Sequence, residues 1–127
     1  MIWKNTTNNI EDFQGFVYVI DEKDTGMCYI GKKNYWKVIH LKPLKGKKRR
    51  RKQIIETDWK NYNSSNKILQ LKVDQNPENY DKRIIRHCVS KQDMAIYETH
   101  YQIQRYISGE WSRLYNEVIN MRCRIRK

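Results

Sequence analysis

Long apolar runs are missing from this 127-residue chain. None approaches the roughly 20 residues that a membrane span requires, and the opening MIWKNTTNNIEDF lacks the apolar centre of a secretory signal. Cysteine is scarce. Cys28, Cys88 and Cys123 are odd in number, widely spaced and form no CxxC pair, which argues against a disulfide frame or a zinc site. The expectation is a soluble cytoplasmic protein with reduced thiols and no membrane partner. Internal repeats and a composition break are also lacking, so residues 1–127 read as one domain with a single modest core. Residues 1–14 read as an N-terminal extension.

Acidic residues are few. Fourteen Asp and Glu face 26 Lys and Arg, a formal net charge of +12. Such an excess repels itself in the folded state and attracts polyanions, nucleic acid first among them. Phenylalanine is rare as well, with two against nine tyrosines and four tryptophans. Tyr and Trp join a large apolar face to a polar tip, which suits half-wet cores and surfaces that stack on bases.

What is present falls into short elements. FVYVI, residues 16–20, is β-branched and aromatic and predicts a strand; DEKDTG supplies a turn, and MCYIG the returning strand. Phe16, Tyr18 and Ile20 share one face, as do Met27, Tyr29 and Gly31 on the partner. Whether Tyr18 and Tyr29 lie on a common face depends on the turn register. KPLKGKKRRRK, residues 42–52, predicts an exposed basic loop or arm; Lys32, Lys45, Lys47, Lys48, Arg49, Arg50, Arg51 and Lys52 are the candidate nucleic-acid contacts. The stretch from Gln53 to Pro77 predicts one or two short helices. Ser64 or Ser65 is the expected N-cap, Ile68, Leu69 and Leu71 the apolar face, and Asn76-Pro77 the stop. DKRIIRHCV, residues 81–89, predicts a third strand. Ser90, with Asp93 three residues on, opens a longer helix that ends at Gly109. The tail holds at most a further short element before a basic terminus.

Glu98 stands out on physical grounds. Its helical neighbours Met94, Ala95, Tyr101 and Gln102 include no cation, so no local ion pair holds it. A carboxylate beside an apolar stripe must reach water, a distant cation or a metal. One carboxylate suffices for magnesium, which keeps several waters and shares its shell with substrate phosphate. His87 and His100 have no second ligand at metal spacing and read as structural.

Tyr18 in GFVYVI and Tyr29 in CYIG, eleven apart across a polar turn, resemble the paired motif of the GIY-YIG nuclease superfamily. Tyr29-Ile30-Gly31 matches literally, whereas Phe16-Val17-Tyr18 stands where that family has Gly-Ile-Tyr. DWKNYNSSNKIL, the strand near IIRHC, the glutamate in AIYETHYQ and the Tyr115-Asn116 pair follow in the order of the small free-standing phage members, some of whose relatives are homing endonucleases. The resemblance implies an α+β fold. Its core would be a small three-stranded antiparallel sheet flanked by helices, with the basic loop inserted after the second strand. It also implies DNA phosphodiester hydrolysis with one divalent metal, Mg²⁺ or Mn²⁺. Glu98 would hold the metal. Tyr18 would act beside the attacking water as general base or positioning group, its phenolate favoured by nearby cations, and Tyr29 would orient water or phosphate. Asn116 would support the site through hydrogen bonds. The family's arginine after YIG is replaced here by lysines, and Lys33 or Lys60 would supply that charge without arginine's fork. Tyr62 stands where relatives carry histidine or tyrosine. So small a chain leaves little spare DNA-contacting surface, so weak specificity, or help from a protein partner or homodimer, is expected.

Two readings of other classes compete. One is a non-catalytic nucleic-acid-binding protein that keeps the basic arm and aromatics but does not depend on Glu98. The other is an inhibitor that uses its basic arm against an acidic protein.

Overall fold

The computed structural model describes residues 2–119. Its centre is a three-stranded antiparallel sheet of order β2-β1-β5, built from β1 (Gly15–Glu22), β2 (Cys28–Asn34) and β5 (Tyr80–Cys88). The middle strand is buried on both faces, which is why FVYVI is an unbroken apolar run rather than an alternation. Phe16, Tyr18 and Ile20 point to one side, among Trp3, Tyr35, Trp59, Leu69 and Tyr80. Val17 and Val19 point to the other, with Cys28, Ile30, Cys88 and Met94, under helix α2 (Lys91–Ile107). The register shifts by one residue between Val17 and Tyr18, where β5 passes from Arg86 to Ile84 and leaves Ile85 as the extra residue, a bulge in β5 opposite the motif.

The α+β architecture is as expected, and so is α2. The Ser90 hydroxyl caps Asp93 N at 3.1 Å, and Gly109 adopts φ +83 just past the last turn. Helix α1 (Lys67–Gln75) differs in detail from the sequence expectation. Its N-cap is Asn66, whose side-chain oxygen accepts from the main-chain N–H groups of Ile68 and Leu69, because Ser64 is held at φ +91 just upstream. Leu69 and Val73 are its buried residues, while Ile68 and Leu71 face solvent.

Gln53–Ile55 is not helical. It lies in a second, two-stranded sheet formed by β3 (Trp36–Leu41) and β4 (Arg51–Glu56). The basic run is therefore not a free arm. Residues 42–50 connect the two strands, and Arg51 and Lys52 begin β4, paired with Leu41 and His40. Period-2 pairing of VIHL with RKQI outweighs the absence of an obvious turn signature, which is why composition alone suggested a loop. The segment before β1 is integrated as well. Trp3 is buried in the core, and Lys4 N donates to Lys82 O at 2.8 Å while Ile84 N donates to Lys4 O at 3.0 Å.

Among the described residues no helix is long and apolar enough to cross a membrane. Cys28 and Cys88 are buried free thiols. Cys123 and the basic terminus lie outside the described residues.

Candidate active site

Register settles the tyrosine question. Tyr18 pairs with Gly31 and Ile20 with Tyr29, so both tyrosines stand on one face, on adjacent strands and one step apart along the diagonal. Their ring centroids are 6.2 Å apart, and the Tyr62 ring meets Tyr18 edge-on at 6.0 Å. A Cβ placed on Gly31 would lie 2.5 Å from Tyr18 Oη and 2.9 Å from Tyr29 Cε1. The glycine of YIG is thus the gap into which the Tyr18 hydroxyl fits.

Tyr18 is fully buried, and its Oη has no hydrogen-bond partner among the described residues. Buried hydroxyls are nearly always bonded, so this atom is exceptional. Burial pushes the Tyr18 phenol well above its usual range, and Tyr62, Tyr29 and the charge of Glu98 push it further. The Tyr62 phenol approaches Tyr18 without the geometry of a hydrogen bond. Among the described residues the expected cationic help for a phenolate is absent: every resolved influence on Tyr18 favours the neutral form. Tyr29 is also raised, by burial first, although a 2.9 Å hydrogen bond to Ser65 Oγ opposes the shift.

Glu98 sits on α2 one turn before Gln102, whose buried amide donates to Ile30 O at 3.1 Å. That contact turns the i, i+4 face toward β2 and brings Glu98 to the Gly31–Lys32 end of the motif. Burial raises the Glu98 carboxyl, and Lys32 lowers it only in part. Glu98 forms no ion pair among the described residues.

Asn116 arrives from the chain's last described segment. Leu114 bridges Cys28 in parallel, Tyr115 N donates to Cys28 O at 2.7 Å, and the Tyr115 hydroxyl bonds the buried Glu22 carboxylate. The next side chain then clamps Ile30 twice: Asn116 Oδ1 accepts from Ile30 N at 3.0 Å, and Asn116 Nδ2 donates to Ile30 O at 2.8 Å. The outer edge of β2 is thereby closed at the YIG tripeptide. Tyr29, Ser65, Asn66, Lys67 and Asn116 line a groove of about 450 Å³ along this edge.

Lys33 belongs to the tyrosine cluster. Its Nζ lies 4.2 Å over the Tyr62 ring and 3.0 Å from Asp58 Oδ1. Lys60 does not. It lines a separate cavity of about 550 Å³ with Trp3, Thr6, Thr7 and Trp59. His87 is structural: Nδ1 meets the Tyr35 hydroxyl at 2.9 Å and Nε2 faces Asn5 O at 3.1 Å, which makes Nε2 the donor. His100 is exposed and packs edge-on against Tyr101. Sequence reasoning missed Ser65, Gln102 and Asp58. Ser65 stands out in the sequence only as a helix cap, Asp58 only within a DWK tripeptide, and Gln102 only as the residue four after Glu98 on a helix face.

Residues 2–119 match the family model described as "Putative endonuclease segE, GIY-YIG domain". The chain belongs to the GIY-YIG family. No curated protein and no solved structure matches it. Membership of this GIY-YIG family supports a DNA-cleaving nuclease, and the departures at Phe16 and Val17 now have a place in the fold. Both residues are buried, one on each side of the central strand, so the first half of the motif here fills two cores while Tyr18 alone faces Gly31.

Proposed function

We propose that this GIY-YIG protein is a metal-dependent endonuclease that hydrolyses DNA phosphodiester bonds on the sheet face bearing Tyr18 and Tyr29. The observation that carries the reading is the orphaned, buried Tyr18 hydroxyl beside Tyr29, within the field of a half-buried carboxylate that forms no ion pair among the described residues. An unpartnered hydroxyl costs roughly 1–3 kcal/mol of desolvation, and a water or phosphate oxygen admitted by a shift of the Tyr29 or Tyr62 ring would satisfy it.

The residues fit a small hydrated cation. Glu98 would hold Mg²⁺ or Mn²⁺ with waters and substrate phosphate completing the shell, since no cluster of three or more His, Cys, Asp or Glu exists among the described residues. When bound, such an ion supplies positive charge at the phosphate and acidifies a coordinated water. Tyr18, held neutral by burial, positions the attacking water through its hydroxyl rather than taking a proton as a standing phenolate. Tyr29, oriented by Ser65, presents a second hydroxyl at the mouth of the groove. Lys33 places a point charge above Tyr62 for the phosphate. Asn116 and Gln102 hold the Ile30 peptide, and so the position of both neighbouring motif residues. The basic residues of the β3–β4 connection hold the DNA through its backbone.

Supercoiled plasmid, incubated with wild type and Glu98→Gln in Mg²⁺, Mn²⁺ or EDTA, tests the reading. Nicking or linearisation that requires both metal and Glu98 is the expected result. Cleavage that survives either loss would overturn it. DNA binding without cleavage under any condition would favour the non-catalytic binding protein.

A further inference from the structure

The β3–β4 hairpin has no counterpart in the catalytic arrangement. It leaves the body after Asn34 and returns at Thr57, between the two partners of the Lys33–Asp58 pair. Its root is fastened by Trp36 Nε1 donating to Phe13 O at 2.9 Å and by Thr57 N donating to Tyr35 O at 2.8 Å. Beyond that root it forms its own two-stranded sheet. On one face Val38 and Ile54 stand directly opposite each other and are 53% and 69% exposed. The next pair toward the tip on that face is His40 with Lys52, both exposed.

We propose that this ribbon enters the DNA major groove and reads base edges, with the Val38–Ile54 pair against thymine methyl groups. The inference rests on the DNA-cleaving reading above and adds which groove is entered and by what. Two arguments choose the occupant. Charge comes first: residues 36–56 hold nine Lys and Arg against one acid, Glu56 at the root, which accepts from Trp59 Nε1 at 2.8 Å, so a second copy of the ribbon would be repelled and a polyanion attracted. Size comes second. Two strands about 4.8 Å apart, with their side chains, match a major groove of about 12 Å and exceed a minor groove of about 6 Å. Six-residue strands reach roughly 20 Å, enough to follow the groove while the basic connection grips the flanking phosphates. Thymine methyls lie only in the major groove, where apolar side chains contact them. Because the ribbon's root is tied to Lys33 through Asp58, DNA held there lies beside the tyrosine cluster.

The test uses the full chain carrying Glu98→Gln, so that the duplex stays intact, and two mixed-sequence duplexes identical except that one has deoxyuridine for every thymidine. The thymine duplex should bind about threefold to tenfold more tightly, the worth of one or two buried methyl groups. Adding Val38→Ser and Ile54→Ser should bring that ratio to one while leaving the salt dependence unchanged. Both positions are exposed, so the substitutions leave the core intact. Netropsin, which fills the minor groove, should not displace the protein. A ratio of one in the parent, a thymine preference that persists in the double serine variant, displacement by netropsin, or failure to bind either duplex would each overturn the proposal. Absence of plasmid cleavage by the wild-type chain in Mg²⁺ or Mn²⁺, with the thymine preference intact, would count against the nuclease reading alone.

Discussion

Lys33 Nζ lies 3.0 Å from Asp58 Oδ1 and 4.2 Å above the Tyr62 ring, so one lysine joins the end of β2 to the segment that follows the ribbon. Asp58 is largely exposed, and the pair holds it below its ordinary carboxylate range, with the Lys33 hydrogen bond the largest cause. A surface pair of this kind adds little stability. Its value lies in where it holds the ammonium group. Lys33→Ala should therefore leave the melting temperature nearly unchanged and lower kcat about 10²–10³-fold, the usual loss of one charge-stabilising donor. Lys33→Arg should recover part of that rate. An equal fall in stability and rate for Lys33→Ala would make the lysine structural.

Gly31 and Tyr18 predict an unusual combination of effects. Gly31→Ala drives a methyl into two stiff rings and should cost about 1–3 kcal/mol of stability along with activity. Tyr18→Phe removes a buried hydroxyl that has no partner, so it should be neutral or stabilising by about 1 kcal/mol while cleavage falls. Urea denaturation of both single variants and the double variant checks this. With the oxygen gone, alanine at 31 should be less costly than in wild type.

Lys82 is buried at 1% exposure, with Nζ 2.9 Å from Asn63 Oδ1 and 4.2 Å over the Trp3 ring. Burial lowers its pKa to about 8 from the ordinary 10.5. Between those values the unfolded chain holds the proton more tightly than the folded one, so stability rises with pH across that window. Below about pH 8 both states are protonated and the burial cost is constant. The raised tyrosines, Tyr18 and Tyr35 among them, act in the opposite sense near and above pH 10. The difference between wild type and Lys82→Met isolates the lysine. The advantage of the methionine variant should shrink from about pH 8 to pH 10.5, and a flat difference would show that the ammonium is solvated.

The β3–β4 connection should set the salt dependence of DNA binding. Replacing Lys47, Lys48, Arg49 and Arg50 by glutamine should reduce the slope of log K against log salt by about 0.9 for each phosphate no longer neutralised. Single-turnover cleavage at saturating protein should change little, because these side chains lie in the strand connection and not at the tyrosines. An unchanged slope would place the phosphate-binding cations elsewhere.

Legibility followed the range of the physics. FVYVI, CYIG and IIRHC were readable because β-branched and aromatic residues state their preference locally, and α2 was readable because Ser90, Asp93 and Gly109 punctuate it. The ribbon was not. Its strands satisfy only each other, and a run of lysines and arginines masks the pairing of His40 with Lys52 and Leu41 with Arg51. The cap of α1 was misplaced for a related reason: Ser64, Ser65 and Asn66 are all competent caps, and only the packed backbone selects Asn66.

By itself the sequence determined the basic charge, the central hairpin with its two tyrosines, and a helix carrying one carboxylate without a local cation. Those properties depend on residue type and near-neighbour spacing. Tertiary structure alone decided that Tyr18 and Tyr29 share a face, that Gly31 makes room for the Tyr18 hydroxyl, and that Lys33 rather than Lys60 joins them. It also decided that Asn116 closes the edge of β2 from 86 residues away. Register, burial and long-range hydrogen bonds arise only when distant segments pack, and each of these decisions is of that kind.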